Sequence, residues 1–180
     1  MNTIKLKDKT FSLCISASEI KKTVSRLARE LNRDLKDKSV IFLGILNGSF
    51  MFAADLFRQI ELDCQISFIK LASYSGNSTS GSVKQLIGLG DDIRDKTVVI
   101  LEDIVDTGIT LDAIIKQLRG FEPAEILVVT LLVKPDALQK VLVLDYVGIE
   151  IPNDFVIGYG LDWDGHGRNL PGIYKLFSSS

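Results

Sequence analysis

The sequence is poor in the residues that build most metal and redox sites. It contains one histidine, His166, and two cysteines, Cys14 and Cys64, in 180 residues. One histidine cannot form a metal triad, and the cysteines are too far apart for the Cys-x-x-Cys pair of zinc and redox motifs. We therefore predict two free thiols, as expected in a reducing cytoplasm, and an exposed His166 without a catalytic role.

Charge of one sign and long apolar runs are also missing. The 21 basic and 23 acidic residues give a formal net charge of −2, so the composition indicates no basic surface for nucleic acid or an anionic membrane. No stretch approaches the roughly 18 consecutive apolar residues of a membrane-spanning helix. Residues 1–8 lack the apolar core of a signal peptide. The expectation is a cytoplasmic protein without nucleic-acid or membrane partners.

What the sequence does contain is a regular alternation of apolar segments. Hydrophobic residues make up 46% of the chain, and 180 residues are enough for one α/β domain with a substantial core. Strand-like patterns occupy residues 39–46, 64–71, 97–101, 125–133, 147–151 and 155–159, and helical spacing occupies 16–31, 50–60 and 109–119. Strands that alternate with helices predict a mainly parallel sheet with helices on both faces, whose ligands bind beyond the carboxyl ends of the strands.

Residues 97–111 carry the clearest chemical signal. An apolar run is followed by two carboxylates, Glu102 and Asp103, and then by Asp-Thr-Gly-Ile-Thr at residues 106–110, where a helix begins. Free backbone N–H groups at a helix start and the two threonine hydroxyls favour a bound phosphate, and Gly108 permits its close approach. Carboxylates beside an anion site make sense if the ligand also carries a sugar diol or a divalent cation.

This arrangement resembles the phosphoribosyl-pyrophosphate signature of the type I phosphoribosyltransferases. Three further segments are similar to the hypoxanthine phosphoribosyltransferases: the Leu-Asn-Gly-Ser loop at 46–49, the Ser-Tyr pair at 73–74, and residues 150–163. The family often carries lysine where this chain has Asn47, and in relatives the peptide bond before that position is cis. Alone, each segment has an ordinary interpretation, since Asn-Gly is a turn signal and acids cap helices. Together they cover roughly residues 11–177 in the family's order.

The resemblance implies an α/β fold of the type I phosphoribosyltransferase kind. This fold has a central, mainly parallel sheet flanked by helices, a small hood formed by the C-terminal segment, and a flexible active-site loop. We expect one domain over residues 1–180, with the core at about 11–145, the hood and base-binding segment at about 146–177, and the flexible loop at about 72–84. The relatives further imply a homodimer or homotetramer.

The implied reaction transfers phosphoribosyl from 5-phosphoribosyl 1-pyrophosphate to hypoxanthine, with guanine as a further acceptor, and yields IMP or GMP and pyrophosphate with Mg²⁺ as cofactor. Asp106 would be the general base that takes the proton from N7 of the purine. The resemblance assigns the phosphoribosyl and 5′-phosphate to Glu102, Asp103, Asp106, Thr107, Gly108, Ile109 and Thr110. It assigns pyrophosphate to Asn47, Gly48 and Arg168, the purine to Lys134, Phe155, Val156 and Asp162, magnesium to Glu102, Asp103 and Asp162, and the closing lid to Ser73 and Tyr74.

Two other functions stay open at this point. A phosphoribosyltransferase-like regulator that senses nucleotides would need a basic face for nucleic acid, which the nearly balanced charge does not indicate. A transferase for xanthine is compatible with the implied contacts, because Lys134 opposes adenine but not other 6-oxopurines. The ordinary alternatives for single residues are a solvated strand end for Lys134, a core aromatic for Phe155, and loop charges for Asp162 and Arg168.

Overall fold

The computed structural model describes residues 3–74 and 83–177. Its elements in chain order are β1 (Thr3–Leu6), β2 (Lys9–Ile15), α1 (Ala17–Asp34), β3 (Val40–Ile45), α2 (Phe50–Phe57), β4 (Cys64–Tyr74), β5 (Val83–Ile87), β6 (Thr97–Val105), α3 (Ile109–Arg119), β7 (Glu125–Val133), β8 (Tyr146–Glu150), β9 (Val156–Ile157) and β10 (Ile173–Leu176). Across these described ranges, each helix is too short or too polar to cross a membrane.

Six strands form the larger sheet, in the order β5-β4-β3-β6-β7-β8. The five strands from β4 to β8 in this order run parallel, and β5 is an antiparallel edge strand. β3 is buried along its whole length, as expected of a parallel strand covered on both faces. The predicted mainly parallel sheet is confirmed.

Helices cover both faces of this sheet because alternate side chains of each strand point to opposite sides. On β6, Val99 and Leu101 pack with the buried stripes of α1 and α2. Val98 and Ile100 pack instead with the buried residues of α3. Each fully buried aliphatic side chain of this kind stabilises the fold by about 1.5–3 kcal/mol relative to exposure.

The first helix begins where the sequence predicts. Ser16 accepts a hydrogen bond from the Glu19 backbone N–H at 3.2 Å, and the Glu19 carboxylate accepts one from the Ser16 backbone N–H at 2.8 Å. This capping box pairs two backbone donors that would otherwise lack partners. The buried stripe of the helix is the predicted one and consists of Ile20, Val24, Leu27, Ala28 and Leu31.

A second, antiparallel sheet forms the hood, in the order β1-β2-β10-β9. Its small core contains Phe11, Ile157 and Tyr174. The resemblance implied a hood formed by the C-terminal segment, whereas β1 and β2 from the other end of the chain make up half of this sheet. Residues 3–15 were not predicted as strands because polar residues interrupt their alternation, and pairing with distant strands decides their structure.

Three predicted boundaries need correction. β6 continues to Val105, so the two acids at 102–103 lie within the strand rather than in the loop after it. β9 ends at Ile157 instead of residue 159. The loop predicted at 72–84 is in part strand, since Ser73 pairs with Lys84 and Tyr74 with Val83. The two residues assigned to the start of a lid therefore belong to β4, and the rest of the predicted lid, 75–82, lies outside the described residues.

Candidate active site

Four segments meet at the carboxyl edge of the parallel strands. They are the loop after β3, the end of β6 with its following loop, the residue after β7, and the hood segment 158–168. A Cβ added to Gly48 would lie 1.7 Å from Oδ2 of Asp103, and one added to Gly160 would lie 2.0 Å from the carbonyl oxygen of Gly48. Only glycine permits these approaches, so the two glycines bring the loop, the acids and the hood into direct contact.

The loop after β6 forms a cradle at the start of α3. A cavity of about 160 Å³ is lined by Glu102, Ile104, Val105, Asp106, Thr107, Gly108, Thr110 and Leu111. Gly108 is the N-cap of the helix and has a φ of 76°, a left-handed conformation that suits glycine. The first N–H groups of the helix, including that of Ile109, have no carbonyl partner inside the helix. Cavity, helix start and threonine hydroxyls therefore make a frame for a phosphate.

Glu102 and Asp103 are consecutive residues of β6, and both are buried, with 8% and 9% of their surfaces exposed. Burial raises the pKa of Glu102 well above its usual range, and the neighbouring Asp103 charge adds to this effect. Burial also raises the pKa of Asp103 to about 6, against the opposing pull of backbone N–H groups and of Arg168. The buried charge of these two carboxylates is only partly balanced by nearby donors and cations. They are therefore suited to a ligand that brings hydroxyl donors or a cation.

Lys134 and Asp106 form an ion pair in the centre of the site. The distance between Nζ and Oδ2 is 2.8 Å, and the lysine side chain is 8% exposed whereas that of Asp106 is 47% exposed. The backbone N–H of Lys134 also donates to the carbonyl oxygen of Val105 at 3.0 Å, which fixes the end of β7 beside the cradle. The alternative of a solvated strand end is wrong, because this lysine is buried and turned towards the site.

The hood presents an exposed aromatic surface. Phe155 is 42% exposed, so the alternative of a core aromatic is also wrong. Its ring meets Trp163 edge to face at 5.3 Å and Phe11 at 6.4 Å. Lys9 lies over the indole of Trp163, with Nζ 4.3 Å from the ring centre. Val156, directly after the exposed phenyl ring, is buried in β9.

His166 is exposed, as the sequence analysis predicts, and its backbone pairs with that of Trp163. Arg168 is held within the hood by two contacts: Nη2 lies 2.7 Å from Asp162, and Nη1 donates to the carbonyl oxygen of Gly160 at 2.6 Å. Both residues are charges on a loop, as the ordinary alternative has it, and the structure adds that they pair with each other. The other oxygen of Asp162 accepts from the backbone N–H of Gly165 at 2.6 Å.

The acids assigned to magnesium do not form a ready cluster. Within residues 3–74 and 83–177, no three His, Cys, Asp or Glu side chains stand together in a metal-binding arrangement. Asp162 is engaged by Arg168, which leaves the adjacent carboxylates of Glu102 and Asp103. A magnesium site of one or two carboxylates, completed by phosphate oxygens and water, is a common arrangement and fits this pair.

Two features of the site were missed by the sequence analysis. Gly160 touches the loop at Gly48, and the repeated glycines around Tyr159 were the signal that could have indicated a close approach. The hydrogen bond from the Tyr159 hydroxyl to Asp55 joins residues 104 positions apart. No local pattern in the sequence carries information about such a contact. The peptide bond between Leu46 and Asn47 is cis, as the resemblance implied.

A phosphate cradle and two buried acids at the edge of a parallel sheet, under an antiparallel hood, define a transferase fold for phosphorylated sugars. A family model for the phosphoribosyl transferase domain matches residues 16–164. The hypoxanthine phosphoribosyltransferase of Escherichia coli strain K12 is 39% identical over 170 residues, which cover 93% of this chain and 96% of the relative. The chain therefore belongs to the type I phosphoribosyltransferase family, and its relatives place it among the hypoxanthine phosphoribosyltransferases.

Other relatives agree with this assignment. The hypoxanthine-guanine phosphoribosyltransferase of Mycobacterium avium is 39% identical over 172 residues, covering 92% of this chain and 85% of the relative. A crystal structure of a hypoxanthine phosphoribosyltransferase from Staphylococcus aureus superimposes with a TM-score of 0.82 at 36% identity, covering 92% of this chain and 91% of the other. That of a Trypanosoma cruzi hypoxanthine phosphoribosyltransferase mutant, in a ternary substrates complex, gives a TM-score of 0.83 at 32% identity, with 92% and 94% covered.

Proposed function

We propose that this protein transfers phosphoribosyl from 5-phosphoribosyl 1-pyrophosphate to hypoxanthine in purine salvage, with guanine as a further acceptor. The products are IMP or GMP and pyrophosphate. The observation that carries this proposal is the Lys134–Asp106 ion pair, whose aspartate lines the phosphate cradle. A donor for a purine oxygen and an acceptor for a purine proton thus stand next to each other.

The cradle at 106–110 would hold the 5′-phosphate. Its backbone N–H groups and threonine hydroxyls are donors, and the dipole of α3 favours negative charge at this end. Glu102 and Asp103 would accept hydrogen bonds from the ribose hydroxyls and so orient the sugar. Ionised carboxylates can only accept, and the diol is a pair of donors, so the match is direct.

The purine would occupy the space between the cradle and the hood. Phe155 offers an exposed ring for stacking, the Val156 backbone offers an edge for hydrogen bonds, and Lys134 would donate to the oxygen at position 6. When the lysine turns to that oxygen, the Asp106 carboxylate loses its partner. It can then accept the proton from N7 while N9 attacks the anomeric carbon. Adenine has a donor at position 6 and offers the lysine no acceptor there, so Lys134 would stay paired with Asp106 and the carboxylate would not be freed to take the proton.

The leaving pyrophosphate would lie against Asn47, Gly48 and Arg168. The Gly48 loop supplies backbone N–H groups, and the guanidinium of Arg168 offers several donors in a fixed plane. A magnesium ion held by Glu102 and Asp103, with Asp162 nearby, would neutralise charge on the pyrophosphate oxygens. Ser73 and Tyr74 remain our proposal for the segment that closes over the site and excludes water from the reactive sugar.

The proposal also includes a cytoplasmic location and a homodimer or homotetramer. Phe50, at the start of α2, is 38% exposed, and an apolar side chain at the start of a short, strongly apolar helix is a natural contact for a second copy. Sedimentation of the purified protein over a range of concentrations measures the assembly directly. A monomer at all concentrations would contradict this part of the proposal.

The function is tested by a steady-state assay with magnesium and 5-phosphoribosyl 1-pyrophosphate, in which hypoxanthine, guanine, xanthine and adenine are offered separately. We expect turnover with hypoxanthine and none with adenine, because adenine cannot accept a hydrogen bond from Lys134 at position 6. Faster turnover with xanthine than with hypoxanthine would show that xanthine, and not hypoxanthine, is the preferred acceptor. Binding of 5-phosphoribosyl 1-pyrophosphate without turnover on any base would instead favour a nucleotide-sensing regulator.

A further inference from the structure

A buried tyrosine joins the hood to the helix behind the pyrophosphate loop. The hydroxyl of Tyr159 donates to Oδ2 of Asp55 at 2.7 Å. Tyr159 is almost fully buried, and burial together with the Asp55 carboxylate raises its pKa, so the phenol stays protonated and remains a donor. The proposed reaction uses neither residue, and neither one was singled out from the sequence.

Tyr159 directly precedes Gly160, the residue whose backbone is hydrogen-bonded to Arg168. The backbone N–H of Tyr159 donates to Leu170 at 2.8 Å, and that of Gly160 donates to the carbonyl oxygen of Arg168 at 2.9 Å. In return, the Arg168 guanidinium donates to the carbonyl oxygen of Gly160 at 2.6 Å. Any movement of the chain at 159–160 therefore moves the guanidinium proposed to contact pyrophosphate.

Asp55 lies next to the other part of the proposed pyrophosphate site, the 47–49 loop. It lies on α2, which begins directly after the Gly48 loop, and the helix is joined to that loop by a hydrogen bond from the Ala53 N–H to the Ser49 carbonyl oxygen at 2.7 Å. Gly160 packs on the carbonyl oxygen of Gly48. The hood thus contacts the loop at Gly48 and the following helix at Asp55, and these two contacts fix its distance and orientation relative to both.

The purine side of the hood is held by other contacts. Val156 pairs with Lys175 of β10, and the backbone N–H of Leu176 donates to the carbonyl oxygen of Phe155 at 3.0 Å. These strand pairings do not involve the tyrosine hydroxyl. Loss of the hydroxyl is therefore expected to shift the residues proposed to bind pyrophosphate and to leave the residues proposed to bind the purine in their positions.

We infer that Tyr159 and Asp55 are positioning residues that hold Arg168 and the 47–49 loop together as one pyrophosphate site. This inference rests on the proposed function and assigns a role to a contact outside the reacting groups. It predicts that breaking the bond weakens binding of 5-phosphoribosyl 1-pyrophosphate and pyrophosphate selectively. A purely structural role would lower stability and would not distinguish between the two substrates.

The first test is the Tyr159→Phe variant, which removes one oxygen and keeps the ring. Asp55 is half-exposed, so its carboxylate stays hydrated and no buried charge is left without a partner. We expect the KM for 5-phosphoribosyl 1-pyrophosphate to rise roughly tenfold, the lower end of what a hydrogen bond to a charged group contributes. The KM for hypoxanthine should change by less than about twofold, because strand pairing holds that half of the site.

The protein offers a matched control in a second tyrosine–aspartate bond. The Tyr146 hydroxyl donates to Oδ2 of Asp34 at 3.1 Å, between the start of β8 and the end of α1. Tyr146→Phe removes the same chemical contact and should leave both KM values unchanged. Asp55→Asn retains an acceptor oxygen and should preserve most of the affinity, whereas Asp55→Ala should reproduce the effect of Tyr159→Phe. The double variant Tyr159→Phe/Asp55→Ala should be no worse than either single one.

Calorimetric titration with magnesium pyrophosphate gives a readout that does not require turnover. A selective loss of pyrophosphate affinity in Tyr159→Phe supports the inference even if the wild-type protein shows no transferase activity, which would refute only the proposed function. Unchanged affinity in a folded Tyr159→Phe variant, or an equal loss in Tyr146→Phe, would overturn the inference. An equal rise of both KM values would also overturn it.

Discussion

Substitution of Gly160 by alanine is the sharpest test of how the site is assembled. The added Cβ would lie 2.0 Å from the carbonyl oxygen of Gly48, a backbone atom that cannot rotate away. Gly160 also has a φ of 102°, which side chains rarely adopt. Alanine here must therefore separate the hood from the 47–49 loop and strain the backbone at the same time.

The size of the effect follows from the geometry. Cβ atoms essentially never come closer than 3.0 Å to another heavy atom, so the loop and the hood must move apart by about 1 Å. A displacement of this size in the groups that position a substrate can reduce the rate about 100-fold. The strained conformation adds a loss of roughly 1–2 kcal/mol in the free energy of unfolding. We expect kcat/KM for 5-phosphoribosyl 1-pyrophosphate to fall about 100-fold while the protein remains folded.

Gly165→Ala is the matched control. Gly165 also has a positive φ, 78°, but a Cβ added there would meet nothing within 4 Å. Kinetics at saturating hypoxanthine and thermal unfolding of both variants separate strain from displacement. If both variants lost activity equally, or if Gly160→Ala kept at least half of the wild-type kcat/KM, the contact between hood and loop would not matter for catalysis.

Three further substitutions test other parts of the molecule. Asp106→Asn should lower kcat by about 10²- to 10⁴-fold, as loss of a general base does, while calorimetry still detects nucleotide binding; a loss of only a fewfold would contradict its role as the base. Lys134→Gln should raise the KM for hypoxanthine and weaken the discrimination against adenine, and unchanged selectivity in the four-base assay would contradict the proposed contact. Ser16→Ala should lower the unfolding free energy by about 1 kcal/mol through loss of the N-cap, with kcat unchanged; an unchanged thermal midpoint would contradict the contribution of the capping box.

Local patterns in the sequence were enough for the elements whose apolar residues recur at regular spacing. β7 has the predicted bounds of 125–133, and α3 those of 109–119, because their apolar periods are unbroken. The cradle was also predictable from local sequence, because Gly108 and its neighbours are turn-forming residues directly before a helix start. The hood sheet was not, because β2 and β10 pair with each other from opposite ends of the chain, and β1 joins the sheet only through β2.

The ion pair between Lys134 and Asp106 shows a second limit of prediction from the sequence. Each residue was assigned a role from its own segment, yet the bond between them joins the ends of two strands and is visible only in three dimensions. The corrected lid boundary has the same origin, since residues 72–74 become strand through pairing with β5. Contacts between segments, rather than the segments themselves, were the part that the sequence analysis could not reach.

The order in which the two sheets can form has a consequence for synthesis of the protein. Neighbouring strands of the larger sheet come mostly from nearby parts of the chain, whereas β2 pairs with β10, and Cys14 bonds to a carbonyl 159 positions later. While the chain leaves the ribosome, the phosphate cradle can therefore fold before residues 173–176 exist. The surface proposed to receive the base is completed last. A chain cut before β10 would keep the cradle and leave Phe11 and Ile157 without their cover, which makes it a natural target for chaperones and proteases.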